Sequence, residues 1–327
     1  MTASPLALRA LLGHAIDYAG VFPPARLPLE RAARNYARYR EEKESWLLGR
    51  FVCPAARLAE LAPLAGELFP APPVPLAVIA SPAAAEAPEK AVAEDLGALR
   101  EFDAAAAGRA VPDLFETRVP DGIGGEDDFR EHFRAVMTAV DAGSPVPIPV
   151  FFEVGGGTGS VERFEQAACA LALVNLERRE SAGPRRYRPG GLKMRCGGIS
   201  PEDFPSVEAV SRAIAACRDA GVPFKATAGL HRPLRHRRAD LNVKAHGFLN
   251  LFAAAAFAVS AGLGAAEIGS ILAEEDPAAF AAERDALLWR GRRLDVESIA
   301  AARRRFLSFG SCSFDEPREG LRELGLI

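Results

Sequence analysis

The chain alternates between short apolar runs and longer stretches in which apolar residues recur at helical spacing. A short apolar run that ends at Gly, Pro or a polar residue is typical of a buried strand, and apolar positions three or four residues apart are typical of a helix. On this pattern the predicted strands are 14–20, 46–54, 74–81, 111–119, 146–154, 190–198, 222–230 and 305–313.

Helical stretches lie between the successive strands. The predicted helices are 27–43, 55–68, 88–102, 126–140, 161–179, 207–221 and 251–262. Eight strands that alternate with seven helical stretches predict an α/β protein with a (β/α)8 barrel fold. A doubly wound open sheet is the main alternative, but it usually has fewer strands, and the GxGxxG fingerprint after the first strand is absent here.

The connection between the seventh and eighth predicted strands differs from the others. It spans about 75 residues, far more than a βα loop and one helix need. It holds a His- and Arg-rich run followed by an Ala-rich apolar run. We therefore predict a single domain over 1–327, in which 231–304 is an extended loop and helical insertion over one face of the barrel.

Composition and charge exclude several classes of partner. The chain has 327 residues, of which 49% are hydrophobic and 25% charged, and its formal net charge is −3. Since neither a basic excess nor an apolar stretch of about 18 residues is present, we expect no nucleic-acid or membrane partner. The N-terminal residues lack a basic leader with a long apolar run, so we expect a cytoplasmic protein. The general frequency of symmetric assemblies favours a homodimer.

The cysteines are scattered and include no CxxC pair. They are Cys53, Cys169, Cys196, Cys217 and Cys312. This pattern favours reduced and mostly buried thiols over disulfides or a zinc site. Two of them, Cys196 and Cys312, lie at the ends of predicted strands and are candidate reactive thiols, with small buried apolar residues as the alternative interpretation.

In a (β/α)8 barrel the active site lies at the carboxyl ends of the strands. Polar residues in the last positions of the predicted strands are therefore the candidates for catalysis. They are Asp17, Glu116, Arg118, Glu153, Lys193, Arg195, Lys225, Thr227, Ser311 and Ser313.

Two lysines on adjacent predicted strands stand out in this set. Lys193 and Lys225 should both point into the mouth of the barrel. Burial and a neighbouring cation each disfavour an ammonium ion, so we expect a lowered pKa and a free amine able to form a Schiff base. The alternative is that each lysine forms a buried ion pair with Glu116 or Glu153, which are also candidate general acids and bases.

Four short segments add a resemblance to a known family. The segments are IDYAG at 16–20, KMRCG at 193–197, KATAG at 225–229 and GSCS at 310–313. In the same chain order they resemble motifs of the deoxyribose-phosphate aldolase family of class I aldolases. The resemblance implies a Schiff-base lyase in which Lys193 forms the imine, Lys225 perturbs it and Asp17 lies in the same mouth. Glu116 stands where that family has an aspartate, and this departure leaves the substrate open.

The resemblance also implies a phosphate site built from backbone amides of glycine- and serine-rich turns, a suitable environment for an anion. An Arg-rich run after the seventh strand is a further candidate to clamp a phosphate or carboxylate. The predicted substrate- or phosphate-binding residues are Arg195, Thr227, Gly229, His231, Arg232, Gly310, Ser311 and Ser313. A second glycine-rich stretch, 155–159, follows the fifth predicted strand, and it fits either phosphate contact or a turn with positive φ.

Histidines after the seventh strand suggest a second hypothesis. His231, His236 and His246 follow one another closely, and a divalent metal bound by Glu116, Glu153 and His246 would support a metal-dependent lyase or isomerase. Their spacing matches no HxxxH or HExxH pattern, so solvated loop histidines are the alternative interpretation.

The sequence thus predicts a class I aldolase-like carbon–carbon lyase that acts without a cofactor on a small carbonyl or phosphorylated compound. The metal-dependent lyase or isomerase is the first alternative. A non-catalytic metabolite-binding barrel is the second.

Overall fold

The computed structural model describes residues 4–82, 88–144, 146–155, 160–181 and 187–327. The strands in this part of the chain are β1 (Ile16–Tyr18), β2 (Leu48–Pro54), β3 (Val74–Ile79), β4 (Ala110–Arg118), β5 (Val150–Val154), β6 (Gly191–Arg195), β7 (Phe224–Thr227), β8 (His236–Arg238), β9 (Val243–Ala245), β10 (Phe280–Ala282), β11 (Ala286–Trp289), β12 (Arg292–Asp295) and β13 (Phe306–Ser311).

The helices are α1 (Leu6–Leu12), α2 (Leu29–Arg40), α3 (Leu58–Leu68), α4 (Pro88–Ala106), α5 (Glu126–Gly143), α6 (Ser160–Ser181), α7 (Val207–Asp219), α8 (Phe248–Ala261), α9 (Ala265–Leu272), α10 (Val296–Arg303) and α11 (Asp315–Glu323). No helix among the described residues is both long and apolar enough to span a bilayer.

Eight parallel strands close into a barrel in the order β1, β13, β7, β6, β5, β4, β3 and β2. Each lies within, or within one residue of, a predicted strand, and each of the seven predicted helices overlaps an observed one. The predicted (β/α)8 barrel is therefore confirmed. The outer helices bury one face against the strands, as in α2, where Leu29, Ala32, Ala33 and Tyr36 follow helical spacing and are buried.

The segment 231–304 contains more regular structure than its sequence suggested. Strands β8 and β9 pair as an antiparallel hairpin, and β10, β11 and β12 form a small antiparallel sheet. Helix α8 packs against β13, α9 and α10, with Phe252 4.3 Å from Phe306 between ring centroids. All residues of α8 from Phe248 to Ala258 are buried, which explains why its sequence is apolar on every side.

A short apolar cluster fills part of the barrel interior. Val52, Ala77, Leu114 and Phe151 belong to strands β2 to β5 and are all buried. The register of the other strands then sets the level of the charged residues above it. Lys193 pairs with Lys225 across β6 and β7, and Glu153 pairs with Lys193 across β5 and β6, so the three side chains share one layer of the barrel.

Candidate active site

A cavity of about 650 Å³ opens at the carboxyl ends of the barrel strands. Every barrel strand, or the residues directly after it, contributes to its wall, and the connection between β8 and β9 adds Asp240 and Leu241. This is the end at which (β/α)8 enzymes place their active sites. The cavity is therefore the candidate active site.

Two lysines share one carboxylate at the floor of this cavity. Lys193 Nζ lies 2.6 Å from Glu116 Oε2 and 2.8 Å from Glu153 Oε2. Lys225 Nζ lies 2.5 Å from Glu116 Oε1 and 2.7 Å from Asp17 Oδ2. Each ammonium group is thus held between two carboxylates, as the ion-pair alternative of the sequence analysis described.

Asp17 lies below the lysines and is fully buried. Besides Lys225, its carboxylate accepts hydrogen bonds from Ser308 Oγ at 2.6 Å and from the backbone N–H of Arg50 at 2.9 Å. The guanidinium of Arg50 lies 3.5 Å from Asp17 Oδ1 and donates from Nε to Asp113 at 2.7 Å. The aspartate therefore has a partner on every side and no direct contact with the cavity.

These contacts join eight charged side chains into one continuous series, which we call the charge ladder. From the lower end of the barrel to its mouth, the members are Asp113, Arg50, Asp17, Lys225, Glu116, Lys193, Glu153 and Arg195. The charges alternate in sign, and the members sum to zero. Alternation of this kind is what burial demands, because a buried charge without a counter-charge is very unfavourable.

The ladder fixes the ionisation of its members. Burial alone would raise the pKa of Asp17, but Lys225 and Arg50 outweigh it and the pKa falls to about 2. Burial would likewise raise the pKa of Glu116 and Glu153, and the adjacent ammonium groups hold both pKa values below the ordinary one. Both glutamates are therefore anionic at neutral pH.

The expected low pKa of the lysines is wrong for Lys193. Burial does act to lower its pKa, but Glu116 and Glu153 together outweigh burial, and the pKa of Lys193 lies above its ordinary value. Glu116 lies between the two lysines, so Lys193 is in the ion-paired state that was the alternative to a free amine. Lys193 is consequently an ammonium ion in the resting site.

Most of the predicted substrate-binding residues line the cavity. Among them, Arg195, Thr227, Gly229, His231 and Gly310 contribute to its wall. Gly229 follows Ala228, and both have positive φ, at 72° and 60°. Both residues line the cavity, and a strained non-glycine residue such as Ala228 is typical of functional sites.

The imidazole of His231 carries a further charge at this wall. Its Nδ1 lies 3.1 Å from Glu316 Oε2, a charge contact rather than an aligned hydrogen bond. Although burial acts to lower the pKa of His231, its contacts with Cys312 and Glu316 raise the pKa to about 9. His231 is therefore cationic at neutral pH.

Three of the predicted substrate-binding residues do not line the cavity. The guanidinium of Arg232 pairs with Glu323 at 2.7 Å, and Arg232 is not part of the cavity wall. Ser311 Oγ donates to the carbonyl of Ser313 at 2.7 Å, and Ser313 Oγ accepts from the N–H of Glu316. Both hydroxyls stabilise the turn after β13, and Gly310 and Cys312 form the wall instead.

The proposed metal ligands are not brought together. His246 is buried, with Nε2 2.8 Å from the carbonyl of Pro205, while Glu116 and Glu153 hold the lysines. His236 Nδ1 lies 3.0 Å from the carbonyl of Leu234. Among the residues that the structure describes, no cluster of side chains has the composition of a metal site. Of the stretch 155–159, only Gly155 lies within the described residues.

Several residues of the site were not predicted from the sequence. Arg50 and Ser308 lie in the middle of strands, not at their carboxyl ends, and the rule applied to strand ends could not select them. Arg238 lines the cavity from the β8–β9 hairpin, which was not predicted as a strand. Phe22 and the prolines after it form another part of the wall, and the FPP sequence after IDYAG was the available signal.

Comparison with known proteins adds one structural likeness. No protein family matches the chain, and no curated protein sequence matches it. A solved structure to which the chain is similar is the tetrameric deoxyribose phosphate aldolase from Aeropyrum pernix. The two chains are 14% identical, the alignment covers 99% of this chain and 100% of the other, and the TM-score is 0.49.

Proposed function

We propose that this protein is a class I aldolase-like carbon–carbon lyase, in which Lys193 forms a Schiff base with a small carbonyl compound. The observation that carries the proposal is the lysine pair that shares Glu116 at the floor of the mouth cavity. Such a pair supplies a nucleophile, a second cation and proton carriers within hydrogen-bond distance. The reaction needs neither a metal nor an organic cofactor.

Exposure favours Lys193 over Lys225 as the nucleophile. The side chain of Lys193 is 9% exposed, and that of Lys225 is 1% exposed. The second partner of Lys193 is Glu153 on the cavity side, whereas the second partner of Lys225 is the fully buried Asp17. A carbonyl carbon can thus approach Lys193 from the cavity, while Lys225 acts from beneath.

The resting ammonium of Lys193 must lose a proton before it attacks. Glu153 lies 2.8 Å from Nζ and is the acceptor nearer the cavity. The neutral amine then forms a C–N bond to the carbonyl carbon as the C=O π bond breaks, and the attacking nitrogen passes a proton to the carbonyl oxygen to give a neutral carbinolamine. Protonated Glu153 returns its proton to the hydroxyl group, which leaves as water, and the iminium remains.

Carbon–carbon cleavage follows from the iminium. Glu153, again a carboxylate, takes the proton of the substrate hydroxyl, the C–C bond breaks, and its electron pair moves into the iminium to give an enamine and a free aldehyde. Lys225 contacts both Asp17 and Glu116 and so holds Glu116 in place. We assign Lys225 and Asp17 to positioning and charge balance and not to bond formation.

The wall formed by the ends of β6 and β7 and the residues after them suits an anionic group on the substrate. The positive-φ turn at Ala228 and Gly229 offers backbone N–H groups, and His231 and Arg195 add positive charge beside it. A phosphate or carboxylate fits this surrounding. We therefore extend the proposal to a phosphorylated or carboxylated carbonyl substrate.

Trapping with borohydride tests the proposal directly. The protein is incubated with small aldehydes, pyruvate and sugar phosphates, reduced, and weighed intact by mass spectrometry. Reduction of an imine adds the substrate mass less one oxygen atom. Lys193→Arg keeps the positive charge and removes the nucleophile, and Lys225→Arg is its matched control.

We expect an adduct in the wild type, a slower one in Lys225→Arg and none in Lys193→Arg. An adduct that is lost only in Lys225→Arg would transfer the covalent role to that lysine. If no carbonyl compound gives an adduct, the Schiff-base proposal fails.

A further inference from the structure

The mouth cavity is divided into two chemically different halves. The charged half is formed by the ends of β5, β6, β7 and β13 and includes Lys193 and Arg195. The other half is formed by the ends of β1, β2 and β3 and by described residues that directly follow β1, β3 and β4. We call it the apolar wall, and its residues are Ala19, Phe22, Pro23, Pro24, Val52 and Ile79.

The apolar wall is continuous with the interior of the barrel. Val52 belongs to the buried cluster of strands β2 to β5, and Ala19, Phe22 and Ile79 pack against that cluster. These side chains are held from below by packing and leave their upper surface to the cavity. The wall is therefore a preformed apolar surface, of the type that binds alkyl or aryl groups in ligand sites.

Polar groups near the apolar wall are already engaged. Ser81 Oγ donates to Asp95 at 2.7 Å, and the backbone N–H of Ser81 donates to the same carboxylate at 2.7 Å. Arg118 and Asp121 pair with each other at 2.9 Å, and their side chains are 63% and 75% exposed, which places them at the rim. Among the described residues of this half, few hydrogen-bonding groups remain for substrate hydroxyls.

We propose that the substrate is amphipathic, with an anionic head bound at the charged half and an alkyl or aryl tail bound along the apolar wall. The position of its carbonyl rests on the proposed function, which places that carbonyl at Lys193 on the floor of the charged half. A polyhydroxylated chain fits poorly, since each hydroxyl placed on the apolar wall would lose its hydrogen bonds to water without replacement. The proposed class of ligand therefore depends on the residues that line the cavity and not on the proposed lyase reaction.

Binding of ligands without a carbonyl group tests this inference separately from the chemistry. Affinities are measured calorimetrically for n-alkyl phosphates and n-alkyl carboxylates from methyl to hexyl, and for polyol phosphates of matched length. We expect each added methylene to strengthen binding by about two- to fourfold, the upper value being complete burial of the methylene. The polyol phosphates should bind more weakly than alkyl phosphates of the same length.

Substitutions in the two halves of the cavity test where the tail and the head of the ligand bind. Val52→Thr replaces a methyl group by a hydroxyl and keeps the shape, and Ile79→Thr on the neighbouring strand replaces an ethyl group by a hydroxyl and so also shortens the side chain. Both should reduce the gain per methylene and leave the affinity of methyl phosphate unchanged. Arg195→Gln is the contrasting variant, which should weaken all members of a series by a similar factor.

The inference is overturned if affinity does not increase with chain length in either series, or if polyol phosphates bind as tightly as the alkyl compounds. It is also overturned if the wild type binds no member of either series. An increase with chain length in a protein that gives no borohydride adduct would support the amphipathic ligand and reject the lyase.

Discussion

Lys193 is subject to two opposing requirements on its protonation state. It must be neutral to attack a carbonyl, but Glu116 and Glu153 hold its pKa above the ordinary value. The conflict is resolved if the proton moves within the cluster, from Nζ to Glu153, rather than to bulk water. Transfer inside a cluster conserves the total number of bound protons, so the fraction of free amine does not depend on pH between the acidic and basic limits of the cluster.

Proton transfer from Lys193 to Glu153 within the cluster predicts how imine formation depends on pH. In the wild type the rate of borohydride trapping should be flat from about pH 6 to 9. In Glu153→Gln, which keeps the shape and cannot accept the proton, the remaining carboxylate beside Nζ is Glu116, which is already shared with Lys225. We therefore expect the amine to lose its proton to solvent. The rate should then be lower at neutral pH and rise about tenfold per pH unit.

Stopped-time trapping at several pH values distinguishes the two profiles, with Glu162→Gln on the outer helix α6 as the matched control. A flat profile in Glu153→Gln would contradict the assigned role of Glu153.

The identity of the site residues could be predicted from the sequence, but some of their properties could not. The lysines, glutamates and Asp17 could be selected because the barrel pattern fixes which strand ends share a mouth. The direction of the Lys193 pKa could not be predicted, because it depends on which oxygens lie within 3 Å of Nζ. The same limit applies to Arg232, whose pairing with Glu323 depends on how α11 lies against the loop after β7.

At the scale of an element, helix α5 carries a histidine in an apolar surrounding. His132 is 5% exposed, its ring lies beside Phe133 and Phe152, and neither ring nitrogen has a hydrogen-bond partner among the described residues. Burial lowers the pKa of His132 to about 4. The helix thus holds a neutral imidazole against the barrel.

The sign of the pH effect follows from this shift. Between about pH 6.5 and 4 the unfolded chain binds a proton at His132 that the folded chain does not, so the free energy of unfolding decreases as the pH falls through this range. The contribution amounts to about 3 kcal/mol when the range has been crossed. In His132→Leu this part of the acid sensitivity should vanish.

Urea denaturation of both proteins at pH 7.5 and 4.5 measures the difference, because other acid effects are common to both. Equal losses of stability in the two proteins would show that His132 does not contribute.

Secondary-structure elements differ in how clearly their sequences predict them. The barrel strands and the long helices carry clear periodicity, and each was predicted within a few residues. Helix α1 was missed because it has only two turns, and β8 and β9 were missed because three-residue strands such as HRR carry no apolar alternation. These short elements form through tertiary contacts, which a local pattern does not contain.

At the scale of the whole molecule, the charge ladder connects the interior of the barrel to its mouth. Its innermost members, Asp17, Lys225 and Glu116, are almost completely inaccessible to solvent. Removal of one member leaves its neighbour as a buried charge without a partner, and such changes cost about 3–5 kcal/mol. The stability of the fold and the chemistry of the site are therefore coupled.

A double-mutant cycle tests this coupling. Lys225→Met should lower the free energy of unfolding by about 3–5 kcal/mol. Asp17→Asn removes the opposite charge, and the double variant should be more stable than the sum of the single effects predicts, because it restores neutrality. Chemical denaturation of the four proteins gives the interaction energy. Additive effects would show that the ladder is not an electrostatic unit.

The arrangement of the ladder has a further consequence for how the N-terminal and C-terminal halves of the barrel assemble. Members from strands β1 to β4 comprise three carboxylates and one guanidinium, with net charge −2, and members from β5 to β7 comprise three cations and one carboxylate, with net charge +2. Each half-barrel alone would thus contain an uncompensated excess of one sign. We expect fragments divided between β4 and β5 to remain unfolded separately and to reassociate when mixed, faster at low salt than at high salt.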